Sequence, residues 1–536
     1  MQAKAHTSLT LLTATATLLF ISALSPTAHA ANTWDGGAGD GNWNSALNWD
    51  NDTVPTSPTN LTFIGNTQTT TTNNISAGYT ATAITFGNNG TNATSGFTLA
   101  GSNIALGGDI VTTNSSSSIT DTITLNLQWT GNRAVNAAAN RTIIISGAIS
   151  QNNGTRTFTK AGNGEVILQN AGNSYLGQTV INAGTLTVNV AGGIANGGTN
   201  SALGAGTTAN SNSLIRFSGG TLNVTLGAGG TDRQVQIGST TATSSGGAAI
   251  NNNSANGSTP LVFSNPAFNV SAGAITTNRV LSLGGTNTDA NAISGVISDH
   301  NTGGGGLVSV TKAGSGRWIL SGSNTYTGAT SVNAGFLVVN GNQSAATGAL
   351  TVSSGATLGG SGTIGGATTI SGIHSPGNSP GIQTFANGLS YSSGATFVWE
   401  LNGNVTTGRG TAFDGVNVSG GTLTINTGVT NNLVFNGAGS ATDWNDAFWG
   451  SNQTWLVFSN AVAPALASAN VFDTINVSLD SLGNDFSTSL AGSSFSWSQT
   501  DNDIYLNYIV PEPSTYALLA LAAAGLGARV MRRRRH

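Results

Sequence analysis

Two stretches of this chain repeat each other, and that limits the fold more than any other feature. Thr159-Lys160-Ala161-Gly162-Asn163-Gly164-Glu165-Val166-Ile167-Leu168 parallels Thr311-Lys312-Ala313-Gly314-Ser315-Gly316-Arg317-Trp318-Ile319-Leu320. The match runs on through Asn173-Ser174-Tyr175-Leu176-Gly177 against Asn324-Thr325-Tyr326-Thr327-Gly328. It closes with Asn182-Ala183-Gly184-Thr185-Leu186-Thr187-Val188-Asn189 against Asn333-Ala334-Gly335-Phe336-Leu337-Val338-Val339-Asn340. Self-similarity on this scale marks stacked supersecondary units. A shorter unit recurs as Ser218-Gly219-Gly220-Thr221-Leu222-Asn223-Val224 and Ser419-Gly420-Gly421-Thr422-Leu423-Thr424-Ile425. Ser354-Gly355-Ala356-Thr357-Leu358 and Ser393-Gly394-Ala395-Thr396-Phe397 are variants. Glycine supplies the φ > 0 conformation of a tight corner. The alternation after it puts Leu222 and Val224 on one face of a strand, with Thr and Asn toward water. One such strand cannot bury its apolar face alone, whereas rungs stacked about 4.8 Å apart can. The expectation is an all-β chain, a parallel β-solenoid of the right-handed β-helix type. Leu186 and Leu337 should point inward, and Thr187 and Asn189 outward.

Composition closes off the alternatives. Of 536 residues only 7% are charged, against about 25% in an ordinary soluble domain. Between Ala31 and Val510 there are 19 acidic and 10 basic residues. No basic face exists to neutralise phosphates, so nucleic acid is not an expected partner. The 75 glycines follow no strict period of three, which excludes collagen, and the absence of Cys excludes disulfides and thiolate metal sites. Gly/Ser/Asn-rich disorder is the competing reading, and the regular Val, Ile and Leu alternation argues against it.

The ordered triad of Lys-x-Gly-x-Gly, Asn-x-Tyr-x-Gly and Asn-Ala-Gly-x-Leu resembles the autotransporter-associated β-strand repeat, over residues 159–189 and 311–340. Ser375-Pro376-Gly377-Asn378-Ser379-Pro380-Gly381 is also similar to a segment common downstream of such repeats. Autotransporters end in a membrane β-barrel translocator. This chain ends differently, so the resemblance does not imply self-translocation.

Both ends read as addresses. Residues 1–30 have Lys4, an apolar run from Leu9 to Leu24, and Ala28-His29-Ala30 as a small-x-small cleavage site. That is a secretory signal, with Ala31 as the expected mature start. At the other end, Val510-Pro511-Glu512-Pro513-Ser514 precedes an uncharged stretch from Tyr516 to Ala528, then Arg529 and Arg532, Arg533, Arg534 and Arg535. The stretch is short for a bilayer core of about 30 Å. The arginines would hold the C-terminus in the cytoplasm. Pro511-Glu512-Pro513, a short apolar helix over 514–530 and the Arg cluster together resemble the PEP-CTERM sorting tail. That resemblance implies recognition by an exosortase, removal of the helix, and release or transfer of the body to the surface. The expected divisions are a signal peptide at 1–30, an N-terminal β region and cap at 31–130, the solenoid at 131–440, a C-terminal β cap at 441–509 and the sorting tail at 510–536. The expected partners are the exosortase and secretion machinery, the inner membrane transiently, and extracellular polysaccharide as a candidate ligand.

Chemistry is sparse. The region between the signals has two histidines, His300 and His374, and two glutamates, Glu165 and Glu400. There is no Gly-x-Ser-x-Gly elbow and no His-Glu-x-x-His. Asp299-His300, beside Gly303 to Gly306, reads as a solvated loop. Glu165 and Arg317 hold one repeat position with opposite charges, which places it toward solvent. Asp35, Asp40, Asp50 and Asp52 among amides are hard oxygen donors suited to Ca²⁺. The competing reading is an opening cap in which Trp34, Trp43 and Trp49 cover the first rung, and a third has tryptophan faces stacking on sugars. Trp444, Trp449, Trp455 and Trp497 read as the closing cap. No catalytic, cofactor or metal residue is assigned. The function expected is an exported structural or adhesive solenoid, with polysaccharide binding or cleavage on the same scaffold as the alternative.

Overall fold

The computed structural model describes residues 31–87, 95–207, 214–238, 246–269, 276–300, 305–468 and 470–511. Its strands form four sheets of 12, 16, 10 and 7 members, and every pairing is parallel apart from those at the C-terminal end. From Ile215–Phe217 through Thr474–Val477 consecutive strands go to different sheets. Leu350–Val352 joins the sixteen-stranded sheet, Thr357–Gly360 the ten-stranded one and Thr363–Ile364 the seven-stranded one. Each rung therefore has three short sides, and rungs stack side on side. Parallel pairing starts with Ala31–Trp34 on Thr59–Phe63 and is still present at Thr474–Val477. Among the described residues helix is confined to the single turns Ala46–Asn48, Ala447–Gly450 and Phe486–Ser489.

The alternation produces the core. Ile143, Val166, Leu186, Leu222, Ile250 and Leu283 stand in register on six successive strands of the sixteen-stranded sheet, all fully buried. Each such side chain stabilises the stack by about 1.5–3 kcal/mol through burial. Leu337 has the same inward position on the ten-stranded sheet, between Trp318 and Leu358. Thr187 departs from expectation. It points away from the core side of Leu186 and Val188 yet is buried. Its hydroxyl donates to Glu165 Oε1 at 2.5 Å and lies 3.4 Å from Asn223 Nδ2. Polar residues of the outer surface thus bond from rung to rung, which covers some of them.

Both ends are closed by aromatics. Trp34, Trp43 and Trp49 are fully buried around Phe63, and the indole N–H groups of Trp43 and Trp49 donate to Thr71 Oγ1 and the Trp43 carbonyl. At the far end the antiparallel strands Ser494–Thr500 and Asp503–Ile509 pack onto Gln453–Asn460. Phe435, Trp444, Trp449 and Trp455 fill the space beneath. All ten tryptophans are buried, so none offers a face for sugars. No helix among the described residues is long and apolar enough to cross a membrane. The expected leader, with Ala28 and Ala30, and the tail from Glu512 through Pro513 to Arg532, Arg533, Arg534 and Arg535 lie outside the described residues.

Candidate functional site

The repeat residues build a solenoid corner. Lys160 is buried, and its ammonium donates to the carbonyls of Ala161, Gly162 and Ala183 at 3.0, 2.8 and 3.0 Å. Lys312 does the same with Ala313, Gly314 and Ala334 at 2.8, 2.8 and 3.0 Å. Two of these carbonyls belong to the lysine's own corner and the third to the corner one rung on. The Lys-Ala-Gly and Asn-Ala-Gly segments are the two halves of one tie. Burial pulls both lysines down to about 8, so each remains largely charged at neutral pH. Gly184 and Gly335 turn these corners at φ +60° and +63°, a conformation costly for residues with a Cβ. The middle segment does equivalent work. Asn173 and Asn324 accept from the Ile149 and Ile297 amides, and Tyr175 and Tyr326 bond Thr179 and Thr330 through their hydroxyls.

The two copies do not sit on the same side of the solenoid. Lys160 stands in the twelve-stranded sheet between Val135 and Ile181, whereas Lys312 stands in the sixteen-stranded sheet between Leu283 and Val332. The second copy is turned by one side of the rung. The corner is therefore a portable structural device, independent of the side it occupies.

The acidic N-terminal stretch also folds on itself. Asp40 accepts from the Ser45 hydroxyl, the Asn42 amide and Asn48 Nδ2 at 2.5, 2.9 and 2.8 Å. These bonds, the Ser45 one foremost, hold its carboxyl well below the usual range. Asp35 caps the Gly37 amide and Asp50 the Thr33 amide. Among the described residues no three His, Cys, Asp or Glu side chains converge as metal ligands would.

The histidines correct one expectation. Asp299-His300 is not a solvated loop: His300 is 1% exposed, and Asp299 accepts from the Val308 and Thr327 amides and the Thr327 hydroxyl. Desolvation holds His300 below its ordinary value, with the Arg279 charge adding to it. His374 lies in the core between Tyr391 and Gln383, with Nδ1 2.5 Å from the Tyr391 hydroxyl and Nε2 2.9 Å from Gln383 Oε1. Full burial drives it down to about 4, so it is neutral.

One cluster was not foreseen. Asp414 is buried and accepts from the Gly381 amide at 2.8 Å and from the Glu400 amide at 3.1 Å. Burial, with the Glu400 charge adding to it, pushes its carboxyl up to about 8. The Ser379 hydroxyl reaches both oxygens of Glu400, at 2.9 and 2.8 Å. Asp414 and Glu400 thus hold the C-terminal part of the Ser375–Gly381 loop, at Gly381 and Ser379. The signal was that loop's sequence; what it lacked was any indication of Asp414, 33 residues from Gly381. Beside it a groove of about 490 Å³ crosses the outer face, lined among others by Arg317, Phe336, Thr357, Asn378, Ser379 and Glu400. Asp414 does not line it, so the two carboxyls do not face one substrate as an acid–base pair would.

Comparison with known proteins agrees with this anatomy. Residues 158–188 and 310–339 match the Passenger-associated-transport-repeat, and residues 510–535 match the PEP-CTERM protein-sorting motif. The repeat matches coincide with the two lysine corners. The chain is 51% identical over 55 residues to the adhesin BmaC autotransporter of Brucella suis biovar 1 (strain 1330), a stretch covering 10% of this chain and 2% of the adhesin.

Proposed function

We propose that this chain is an exported cell-surface protein with a structural or adhesive role, which an exosortase frees from a C-terminal membrane helix. The observation that supports it best is the pairing of an end-capped solenoid with the sorting motif at 510–535. The last strand among the described residues, Asp503–Ile509, closes the cap, and the Val510 amide is held by Asn452 Oδ1 at 2.9 Å. The sorting-motif match starts directly after that strand, so removal of the tail would take none of the described strands. Likeness to a stretch of an adhesin favours adhesion over catalysis, and so does a groove that only one of the two carboxyls lines. In this reading the outer wall, whose Thr, Asn and Ser side chains bond along the stack, is a spacer and a contact surface.

The test is protease shaving of intact cells, followed by a comparison of attachment between the parent and a deletion strain. The expected result is release of peptides from 31–510 and weaker attachment of the deletion strain. Protein found only inside the cell would overturn the reading, and so would surface protein whose loss leaves attachment unchanged.

A further inference from the structure

We propose that the groove between Arg317 and Glu400 binds a neutral polysaccharide chain laid along the solenoid axis; this deepens the surface reading above and rests on it. The groove lies on the ten-stranded sheet and takes residues from five consecutive rungs. Arg317, Phe336 and Thr357 stand directly in register, and Ser375 and Glu400 follow on the next two strands. At 4.7–4.9 Å per rung that is ~19 Å of groove parallel to the axis. Its floor is low because Gly359 separates Val338 from Ser375 in the outer row. One wall is the Ser375–Gly381 loop, fixed by Asp414 and Glu400.

Three observations select the occupant. Phe336 is the one aromatic residue lining the groove and is 47% exposed. On a chain that buries all ten tryptophans, that is a flat apolar surface left for the C–H face of a sugar ring. Hydrogen-bonding groups surround it. The Arg317 guanidinium has no hydrogen bond from the described residues. Glu400 keeps acceptor capacity beyond Ser379, and Asn378 stands at the rim, donating to Asn340 Oδ1 and Ser361 Oγ. The charges cancel: one guanidinium and one carboxylate line the groove. That balance suits a neutral polyol and offers no net attraction to a polyanion. A peptide strand is disfavoured because the backbone of this face is already paired rung to rung, with no free edge to extend.

The test is native affinity electrophoresis of the full chain in gels containing hydroxyethyl cellulose, xyloglucan or dextran, with polygalacturonate as the anionic comparison. Retardation by at least one neutral polymer and none by polygalacturonate is expected. Phe336→Ala and Glu400→Gln should each weaken it about tenfold, ~1.4 kcal/mol, with unchanged circular dichroism. Leu226→Ala, an exposed apolar residue on the sixteen-stranded sheet, should leave it intact. The proposal fails if no neutral polymer retards the chain, if only the polyanion or a peptide library binds, or if retardation survives both groove substitutions. Surface shaving separates this failure from that of the underlying reading. Shaved peptides without retardation reject the groove alone, and absence from the surface rejects the surface role even if the gel retards the chain.

Discussion

Replacing Lys312 with Met tests the claim that the repeat is a corner tie. The substitution keeps a four-atom unbranched stem but removes the ammonium and its three donors. The carbonyls of Ala313, Gly314 and Ala334 would lose their ammonium partner at 2.8, 2.8 and 3.0 Å. An unsatisfied buried acceptor costs about 1–3 kcal/mol, so three give a gross loss of about 3–9 kcal/mol. Dehydrating the ammonium already costs the parent protein part of this, which places the net loss near the lower end, at about 3 kcal/mol. Because rungs contact only their neighbours, the loss should be local. Hydrogen exchange reads it directly. The Gly316 and Phe336 amides, which bond the carbonyls of Gly285 and Gly316, should lose protection by about a hundredfold, the equivalent of ~3 kcal/mol. The copy around Lys160 should be untouched. Unchanged protection at Gly316 and Phe336 would refute the tie, and equal loss in both copies would refute its locality.

Other expectations follow from the same geometry. Leu186→Ala and Leu337→Ala should each cost about 2–5 kcal/mol in urea unfolding, as buried large-to-small changes do; a cost under 1 kcal/mol would mean the register is wrong. His374 and Asp414 should pull stability in opposite directions with pH. His374 titrates near 4 when folded and 6.5 when unfolded, so its contribution is present above 6.5 and lost as pH falls through 4. Asp414 titrates near 8 when folded, so its contribution is present below 3.8 and lost as pH rises through 8. Thermal melts of His374→Gln should therefore show stability falling steadily from pH 4 to 8, whereas the parent is flatter between 4 and 6.5; identical profiles would sink the assignment. Far-UV circular dichroism should show strand with very little helix, and a helical content near a third would contradict the fold.

Much of the fold was legible because a solenoid writes its rung into the chain. Glycine followed by Thr-Leu-x-Val announced a corner and an inward strand, and Leu186, Leu222 and Leu337 lie where that pattern puts them. The tryptophans at both ends were readable as caps because terminal rungs must close an apolar stack. Which of three sides a rung begins on is not encoded in the spacing of the repeat, so the turned placement of Lys312 relative to Lys160 emerged only in three dimensions. Thr187 was misjudged because alternation distinguishes inward from outward but not bare from covered, and its cover is Glu165 and Asn223 from other rungs. The glycine neighbours of His300 suggest a solvated loop, whereas the residue is buried and bridges to Gly306. The pairing of Glu400 with Asp414 was invisible for a related reason. Each carboxyl looks isolated until the Ser375–Gly381 loop brings them together.

The central claim, a surface solenoid freed from a C-terminal anchor, is tested most directly by the mass of the protein extracted from the cell surface. The account predicts an N-terminus at about Ala31, a C-terminus near Ser514, and no peptide from Tyr516 to Arg529. A surface pool whose mass includes residues 516–536 would contradict the account and make the apolar stretch a permanent anchor.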